Sequence, residues 1–406
     1  MSDRVRDTLD HCVKCTICET MCPVAAVTPL FPGPKYVGPQ AERYRDPAGE
    51  VSPDQSLDYC SGCGTCTLVC PQGVKVAEIN AQARAAMKAQ RGMPWRDRFI
   101  SNTILGGRLS MLGAPVYNRV ITNPLARRAI ERGMGVHRAA PMPRVQSTSF
   151  RTWTWGRALR GRKLRSHRRV VYFHGCAANY YETRLARRAV AVLEHQGLEV
   201  LIPRQGCCGL PQQSNGLFDE ARDSVTHLAA QLAPYARRGL DILGTSTSCS
   251  LMLRREAREV LSLEDRPDMR DLAPRVFDIC EYLLAMHHRG ELRTDFQPMP
   301  MTVPYHPPCQ LKAHNIGTPA VELLGLIPGM RLIDSNVTCC GVAGTYGLKT
   351  EKYDIAMAVG EPLFRQVRGS EMACCDSETC RWQIETATGV TTVHPVDLLY
   401  MAYGLG

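Results

Sequence analysis

The sequence lacks several things at once. No stretch of 18 or more apolar residues appears, so no transmembrane helix is expected. The opening Met1-Ser-Asp-Arg-Val-Arg-Asp has no apolar core, so no secretory signal is expected either. There is no phosphate-binding loop, no dinucleotide fingerprint and no arrangement resembling a Ser-His-Asp triad. Nucleotide chemistry and acyl transfer are therefore not expected of this chain, and no catalytic residue stands out. Acidic residues are scarce in one place. Residues 84–169 hold 20 Lys/Arg against two acids, Asp97 and Glu131. That segment carries +18 while the whole chain nets +10, so the remainder is acidic.

Cysteine, by contrast, is abundant: 19 in 406 residues. In a reducing cytoplasm so many thiols point to metal or redox chemistry rather than to disulfides. Their spacing is ordered. Cys12, Cys15, Cys18 and Cys22 form C-x2-C-x2-C-x3-C before Pro23, and Cys60, Cys63, Cys66 and Cys70 repeat it before Pro71. Three cysteines at consecutive steps of three, with a fourth before proline, suit a [4Fe–4S] cubane better than the paired arms of a zinc site. In the two-cluster ferredoxin arrangement the fourth cysteine of each run serves the other cluster. One cluster would use Cys12, Cys15, Cys18 and Cys70, the second Cys60, Cys63, Cys66 and Cys22. Residues 29–47 are rich in Pro and Gly and are expected to be an extended loop. A helix is expected over 75–90.

The second half of the chain repeats itself. Val170-Val-Tyr-Phe-His-Gly-Cys176, Cys207-Cys208-Gly209 and Ser246-Thr-Ser-Cys249 return as Thr302-Val-Pro-Tyr-His-Pro-Pro-Cys309, Cys339-Cys340-Gly341 and Ser377-Glu-Thr-Cys380. Such a period marks a duplicated unit. Each unit alternates strand and helix: strands at 169–174, 198–202 and 240–243, helices at 181–195 and 217–232, then strands at 301–305, 330–334 and 371–374 with helices at 319–326 and 351–367. This predicts an α/β unit with a largely parallel sheet and ligands at strand C-terminal ends. Gly209 and Gly341 are expected to let the chain turn closely around a bound group.

Four cysteines per unit, Cys176, Cys207, Cys208 and Cys249, then Cys309, Cys339, Cys340 and Cys380, are expected to hold one or two further clusters. Zinc, a redox dithiol and a haem pocket are the alternatives. His174 and His306 are read as packing or hydrogen-bonding residues. Cys280, in the apolar helix-like run 276–286, is read as a core thiol. Cys374 and Cys375 are either spare ligands or buried strand residues.

The basic segment is expected to be partly helical, with one or two amphipathic helices over 99–136. Trp153 and Trp155, beside Arg160, Arg162, Lys163 and Arg165, suit the interface of an anionic phospholipid membrane. An acidic partner protein is the next reading, then a solvated linker. Nucleic acid comes last and is not expected as a partner. The expected organisation is a two-[4Fe–4S] ferredoxin-type, α-helical domain at 1–83, the basic segment at 84–169, and Cys-Cys-Gly domains at 170–290 and 291–406.

These motifs resemble the iron–sulfur subunits of quinone-linked dehydrogenases. Glycolate oxidase and the B subunit of heterodisulfide reductase provide examples, as do the C subunits of anaerobic glycerol-3-phosphate dehydrogenases. The likeness lies in Cys12-Val-Lys-Cys15-Thr-Ile-Cys18, in Pro32-Gly-Pro-Lys35 through Gly38-Pro39 to Glu42-Arg43, and more specifically in Phe173-His-Gly-Cys176, Cys339-Cys340-Gly341-Val-Ala-Gly-Thr-Tyr-Gly347, Gly360-Glu-Pro-Leu-Phe-Arg-Gln366 and Trp382-Gln-Ile-Glu385. The resemblance implies a complex in which a flavin dehydrogenase, the A subunit, oxidises glycerol 3-phosphate. Beside it and a B subunit, the present chain would pass electrons to menaquinone and tether the complex peripherally at the cytoplasmic face of the inner membrane. Service to a glycolate or lactate oxidase, or disulfide reduction at the Cys-Cys-Gly sites, is the competing function. The sequence departs from the family pattern at Ser246 and Ser377, where a terminal C-x2-C would have its first cysteine. That puts a five-cysteine noncubane cluster in doubt. It leaves open a four-ligand cubane, a serine ligand, substitution by Cys374 or Cys375, or one empty half.

Overall fold

The computed structural model describes residues 3–45, 55–159 and 166–405. Near the N-terminus each cysteine run wraps a single helical turn, Ile17–Thr20 and Thr65–Leu68. The stretch expected to be extended instead contains a helical turn at Tyr36–Gln40. The first long helix, α1 (Val76–Arg91), buries Val76, Ile79, Ala83 and Met87, residues three and four apart.

Four short helices follow: α2 (Trp95–Ser101), α3 (Thr103–Leu112), α4 (Ala114–Thr122) and α5 (Pro124–Met134). The breaks between them are local. Asn102 accepts from the Leu105 N–H, and Asn123 accepts from the Leu125 and Ala126 N–H groups ahead of Pro124. Asn caps and a proline in the first turn both start helices. Helix α6 (Phe150–Leu159) closes the segment.

The duplicated region forms two four-stranded, wholly parallel sheets. The first is built from β1 (Arg169–Phe173), β2 (Glu199–Leu201), β3 (Asp241–Gly244) and β4 (Val276–Asp278) in the order β2-β1-β3-β4. The second uses β5 (Met301–His306), β6 (Met330–Asp334), β7 (Ala373–Cys375) and β8 (Thr392–Val393) in the order β6-β5-β7-β8. This is the α/β architecture expected. Strands β4 and β8, of three and two residues, are additional to the expected set. They are too short to show a period, so 276–286 read as one helix. It is β4 followed by α-helix, with Asp278 forming a capping box with Glu281.

Shared packing holds the two sheets together. Helix α7 (Thr183–His195) and the helices Ile279–His288, Pro319–Leu324 and Pro395–Ala402 share one core with Val170 and Tyr172 of the first sheet and Val303 and Tyr305 of the second. The alternate residues Val171 and Phe173 face outward under α8 (Phe218–Ala236). The matching outer face of the second sheet lies under α9 (Thr350–Val367). In both sheets the second strand lies on one side of the first, and the third returns to its other side. That reversal opens a crevice at the strand C-terminal ends, where the cysteines lie.

Candidate iron–sulfur centres

The two N-terminal runs bend the same way by different means. Lys14 and Thr16 adopt φ of 59° and 67°, and the matching Gly62 and Gly64 adopt 69° and 80°. The loop demands left-handed backbone at both places. The second run meets it with glycine, and the first holds side chains there at a cost. The chain crosses as the spacing suggests. Cys12, Cys15, Cys18 and Cys70 line one small cavity, with Lys14 and Lys35 beside them. Burial pushes the Cys18 thiol up to about 11, with Glu19, Cys12 and Cys70 adding to the effect. Burial likewise raises Cys22 to about 12, with Cys63 and Cys60 as its thiol neighbours. Cys66 is buried beside Cys63, Cys60 and Cys22. Backbone N–H groups aim at the fourth cysteines: Ala25 at Cys22 Sγ (3.5 Å) and Val74 at Cys70 Sγ (3.4 Å).

Each Cys-Cys-Gly unit gathers its four cysteines in the crevice. Cys208 and Cys249 approach to 3.2 Å between sulfurs, and Cys340 and Cys380 to 3.0 Å. Thiol donation from Cys176 and Cys208 holds Cys207 well below the usual thiol range, and Cys309 and Cys340 do the same for Cys339. The N–H groups of Gly209 and Gly341 donate to Cys207 Sγ at 3.4 Å and Cys339 Sγ at 3.3 Å. Both glycines have positive φ, 81° and 87°. A further constraint stands beside the expected turn. A Cβ on Gly341 would lie 1.8 Å from the Ala356 carbonyl oxygen, and one on Gly209 2.8 Å from that of Ala221. The close approach is to the backbones of α9 and α8, and the turn around the sulfurs follows from it. Converging soft thiolates, with backbone N–H groups aimed at their sulfurs, match the donor set of iron–sulfur clusters.

The serines differ in use. Ser246 donates to Glu378 Oε1 at 3.1 Å, across to the other unit, whereas Ser377 stands beside Cys380 and Thr379. Cys374 and Cys375 separate by strand alternation. Cys374 faces the shared core, and Cys375 faces Cys340 and Cys380. Cys280 is fully buried in that shared core, next to Asp278. His174 bonds the Gly175 carbonyl through Nδ1 and meets Phe150 edge-on.

The N-terminal and duplicated regions meet at the cysteines. Cys22 and Cys60 share a buried cluster with Cys339 and Ala356. Cys63 is within charge range of both Cys339 and Cys309. The first Cys-Cys-Gly site instead adjoins the basic segment: Thr103 Oγ1 lies 3.7 Å from Cys207 Sγ, and Tyr117 lies near Tyr181, itself near Cys176. No spacing in the sequence marks Thr103.

The residues expected to touch a membrane fare unevenly. Trp153 is packed on Phe150, with the guanidinium groups of Arg157 and Arg187 over its ring at 5.5 and 5.6 Å. Trp155 is exposed. Arg160, Arg162, Lys163 and Arg165 lie outside the described residues. A different surface is apolar and open. Leu105, Leu109 and Leu112 of α3, Val116 and Val120 of α4 and Leu125 of α5 all face solvent, beside exposed Arg108, Arg119, Arg128 and Arg132. No helix among the described residues is long and apolar enough to cross a membrane.

Comparison with known proteins places this geometry. Residues 8–74 match a 4Fe-4S dicluster domain, and residues 170–254 and 303–385 each match a Cysteine-rich domain. The C subunit of the anaerobic glycerol-3-phosphate dehydrogenase of Escherichia coli (strain K12) is 34% identical over 97% of this chain and 98% of its own length. The chain belongs to that C-subunit family. More distant relatives are the B subunit of the fumarate reductase (CoM/CoB) of Methanothermobacter marburgensis and the lactate utilization protein A of Oceanobacillus iheyensis. The first is 24% identical over 89% of this chain and 64% of its own; the second is 25% identical over 57% and 96%. Members of the C-subunit family are iron–sulfur electron-transfer proteins, each one part of a larger dehydrogenase.

Proposed function

We propose that this chain passes electrons from a flavin-bearing partner to menaquinone at the membrane. The partner is the A subunit of a glycerol-3-phosphate dehydrogenase complex that also contains a B subunit. The observation that carries the reading is the grouping of sixteen cysteines into four sets of four, with the Cys60 run set directly against Cys309 and Cys339. Cys12, Cys15, Cys18 and Cys70 would hold one [4Fe–4S] cluster, and Cys60, Cys63, Cys66 and Cys22 the second. Cys176, Cys207, Cys208 and Cys249, and Cys309, Cys339, Cys340 and Cys380, would hold the further ones. Such clusters, when bound, exchange single electrons. The chain's own residues bury nine of the sixteen cysteines, six of them in the Cys-Cys-Gly sites, leave Cys15 exposed, and point backbone N–H groups at several of the sulfurs. Substrate oxidation belongs to the partner, since this chain offers metal ligands and no flavin fingerprint.

Membrane attachment is peripheral, on the cytoplasmic face. A segment of +18 and an open leucine–valine face support it. Each basic residue near an anionic surface contributes about 1 kcal/mol, so a handful suffices to hold the protein there.

The lactate-utilization relative favours one second reading, in which the partner oxidises a 2-hydroxy acid instead. Anaerobic purification with iron and sulfide counting comes first: about eight irons leave both Cys-Cys-Gly sites without clusters, and about sixteen fill both. In the assembled complex, Cys63→Ser should abolish quinone reduction while glycerol 3-phosphate still reduces the partner's flavin. Survival of both activities refutes the proposal; flavin reduction by lactate alone selects the second reading.

A further inference from the structure

The two Cys-Cys-Gly sites are not chemically equivalent. Strand register pairs Phe173 with Gly244 in the first sheet and His306 with Cys375 in the second. Phe173 precedes Cys176 by three residues, as His306 precedes Cys309; Gly244 precedes Cys249 by five, as Cys375 precedes Cys380. The structural counterpart of His306 is therefore Phe173, one residue before His174. Both side chains point outward from their sheets onto the cysteines. Phe173 is buried in one cluster with Cys208 and Cys249. In the second unit the imidazole of His306 and the sulfurs of Cys340 and Cys380 all lie within 4.8 Å of one another, and all three residues are buried.

The histidine is also presented as a ligand would be. Its Nδ1 lies 3.2 Å from Ser335 Oγ, the kind of partner that orients a metal-bound imidazole. Its Nε2 is buried without a hydrogen-bond partner. His174 Nε2 of the first unit is likewise unpartnered, but it is the His306 ring that lies among cysteine sulfurs, and the phenyl ring that takes its place in the first unit offers no donor atom at all. We propose that His306 is a nitrogen ligand of the second Cys-Cys-Gly site, beside the thiolates of Cys309, Cys339, Cys340 and Cys380, whereas the first site is liganded by thiolates alone. The inference rests on the reading that the Cys-Cys-Gly sites hold iron–sulfur clusters. It supplies a donor that Ser377 does not, while Cys375, the strand partner of His306, faces Cys380 from the neighbouring strand. The imidazole is then the one donor that distinguishes the second site from the first, so the two sites differ in reduction potential.

Pulsed EPR on the reduced full-length protein, purified anaerobically, tests this. Natural-abundance protein is compared with protein carrying 15N-histidine. The expected result is a strong nitrogen coupling on one cluster signal that changes with the label, disappears in His306→Gln and persists in His174→Gln. In His306→Gln the midpoint of that signal shifts while the other signals keep theirs. A coupling absent from the labelled wild type, or one that survives His306→Gln, overturns the assignment. The labelled wild type decides the matter even if the variant loses its fold. Iron counts on the double substitution Cys339→Ala/Cys340→Ala separate the two failures. If that substitution removes no iron, the second site holds no cluster, and both the histidine ligand and the cluster reading of that site are wrong. If it removes iron while the label changes nothing, only the histidine assignment falls.

Discussion

Gly341 sits where no side chain can. Its φ of 87° already disfavours any L-residue, and a Cβ would meet the Ala356 carbonyl oxygen at 1.8 Å, backbone that cannot rotate away. Gly209 has nearly the same φ, but its Cβ would stop 2.8 Å from Ala221 oxygen. Gly341→Ala should therefore destabilise the chain by ~3 kcal/mol or more, and Gly209→Ala by about 2 kcal/mol, since backbone strain is common to both and the severity of the clash is not. Urea unfolding midpoints check the order, and equal losses would show that α9 yields as easily as α8. At the same scale, the Cys-Cys-Gly triplet was visible in the sequence, but this further constraint on its glycine was not. The neighbour that excludes a Cβ comes from a helix residue 15 positions further on.

Helix α3 illustrates what an element adds. Its inner face is small: Thr103 reaches Cys207, and a Cβ on Gly107 would meet the Tyr180 ring at 2.4 Å. Its outer face carries Leu105, Leu109 and Leu112, the last 88% exposed. This reverses the usual arrangement, in which the apolar stripe turns inward, and it fits a surface that meets acyl chains with arginines at its rim. Replacing Leu112 and Val116 by glutamate should lower binding to vesicles containing phosphatidylglycerol by roughly tenfold or more in a flotation assay, while Trp155→Ala changes it little. Wild-type protein that ignores such vesicles at both low and physiological salt would make this face a docking surface for a partner protein. The apolar periodicity over 99–136 was legible beforehand. The direction of the stripe was not, because periodicity gives a face without saying what it faces.

Across the whole molecule, one buried carboxylate ties distant segments together. Asp97, 1% exposed, receives Lys88 at 3.0 Å, Lys349 at 2.9 Å and Arg96 at 3.1 Å; Lys349 also donates to Asn215, and Arg96 reaches Glu351. Helices α1, α2 and α9 and the turn before α8 are held by it. Burial alone would raise the Asp97 carboxyl, but Lys349 and Lys88 hold it down to about 2. A folded-state value below the ordinary 3.8 means that the carboxylate stabilises the fold above pH 4, and that this contribution is lost as pH falls from about 4 to 2. Asp97→Asn leaves buried lysines short of a counter-charge. It should cost roughly 3–5 kcal/mol at neutral pH, and the stability of the variant should fall less steeply over that acid window. Chemical denaturation at stepped pH measures both. An unchanged acid slope would locate the acid sensitivity elsewhere, for instance at Asp58, which Lys352 and Lys88 also hold low.

The amino-acid sequence by itself determined how the cysteines are spaced and the duplicated α/β plan. Cluster spacing is a property of a few consecutive residues, and a repeat with matched offsets must fold twice alike. Tertiary structure alone decided three matters. It set the Cys60 run against Cys309 and Cys339, a contact between segments some 250 residues apart. It turned Cys375 toward the site and Cys374 away, and put His306 there opposite Phe173 rather than His174. It also left the leucines of α3 facing outward. The physical reason is shared. In a strand, a shift of one residue reverses every side chain, and on a helix the partner, not the pattern, decides which face is covered.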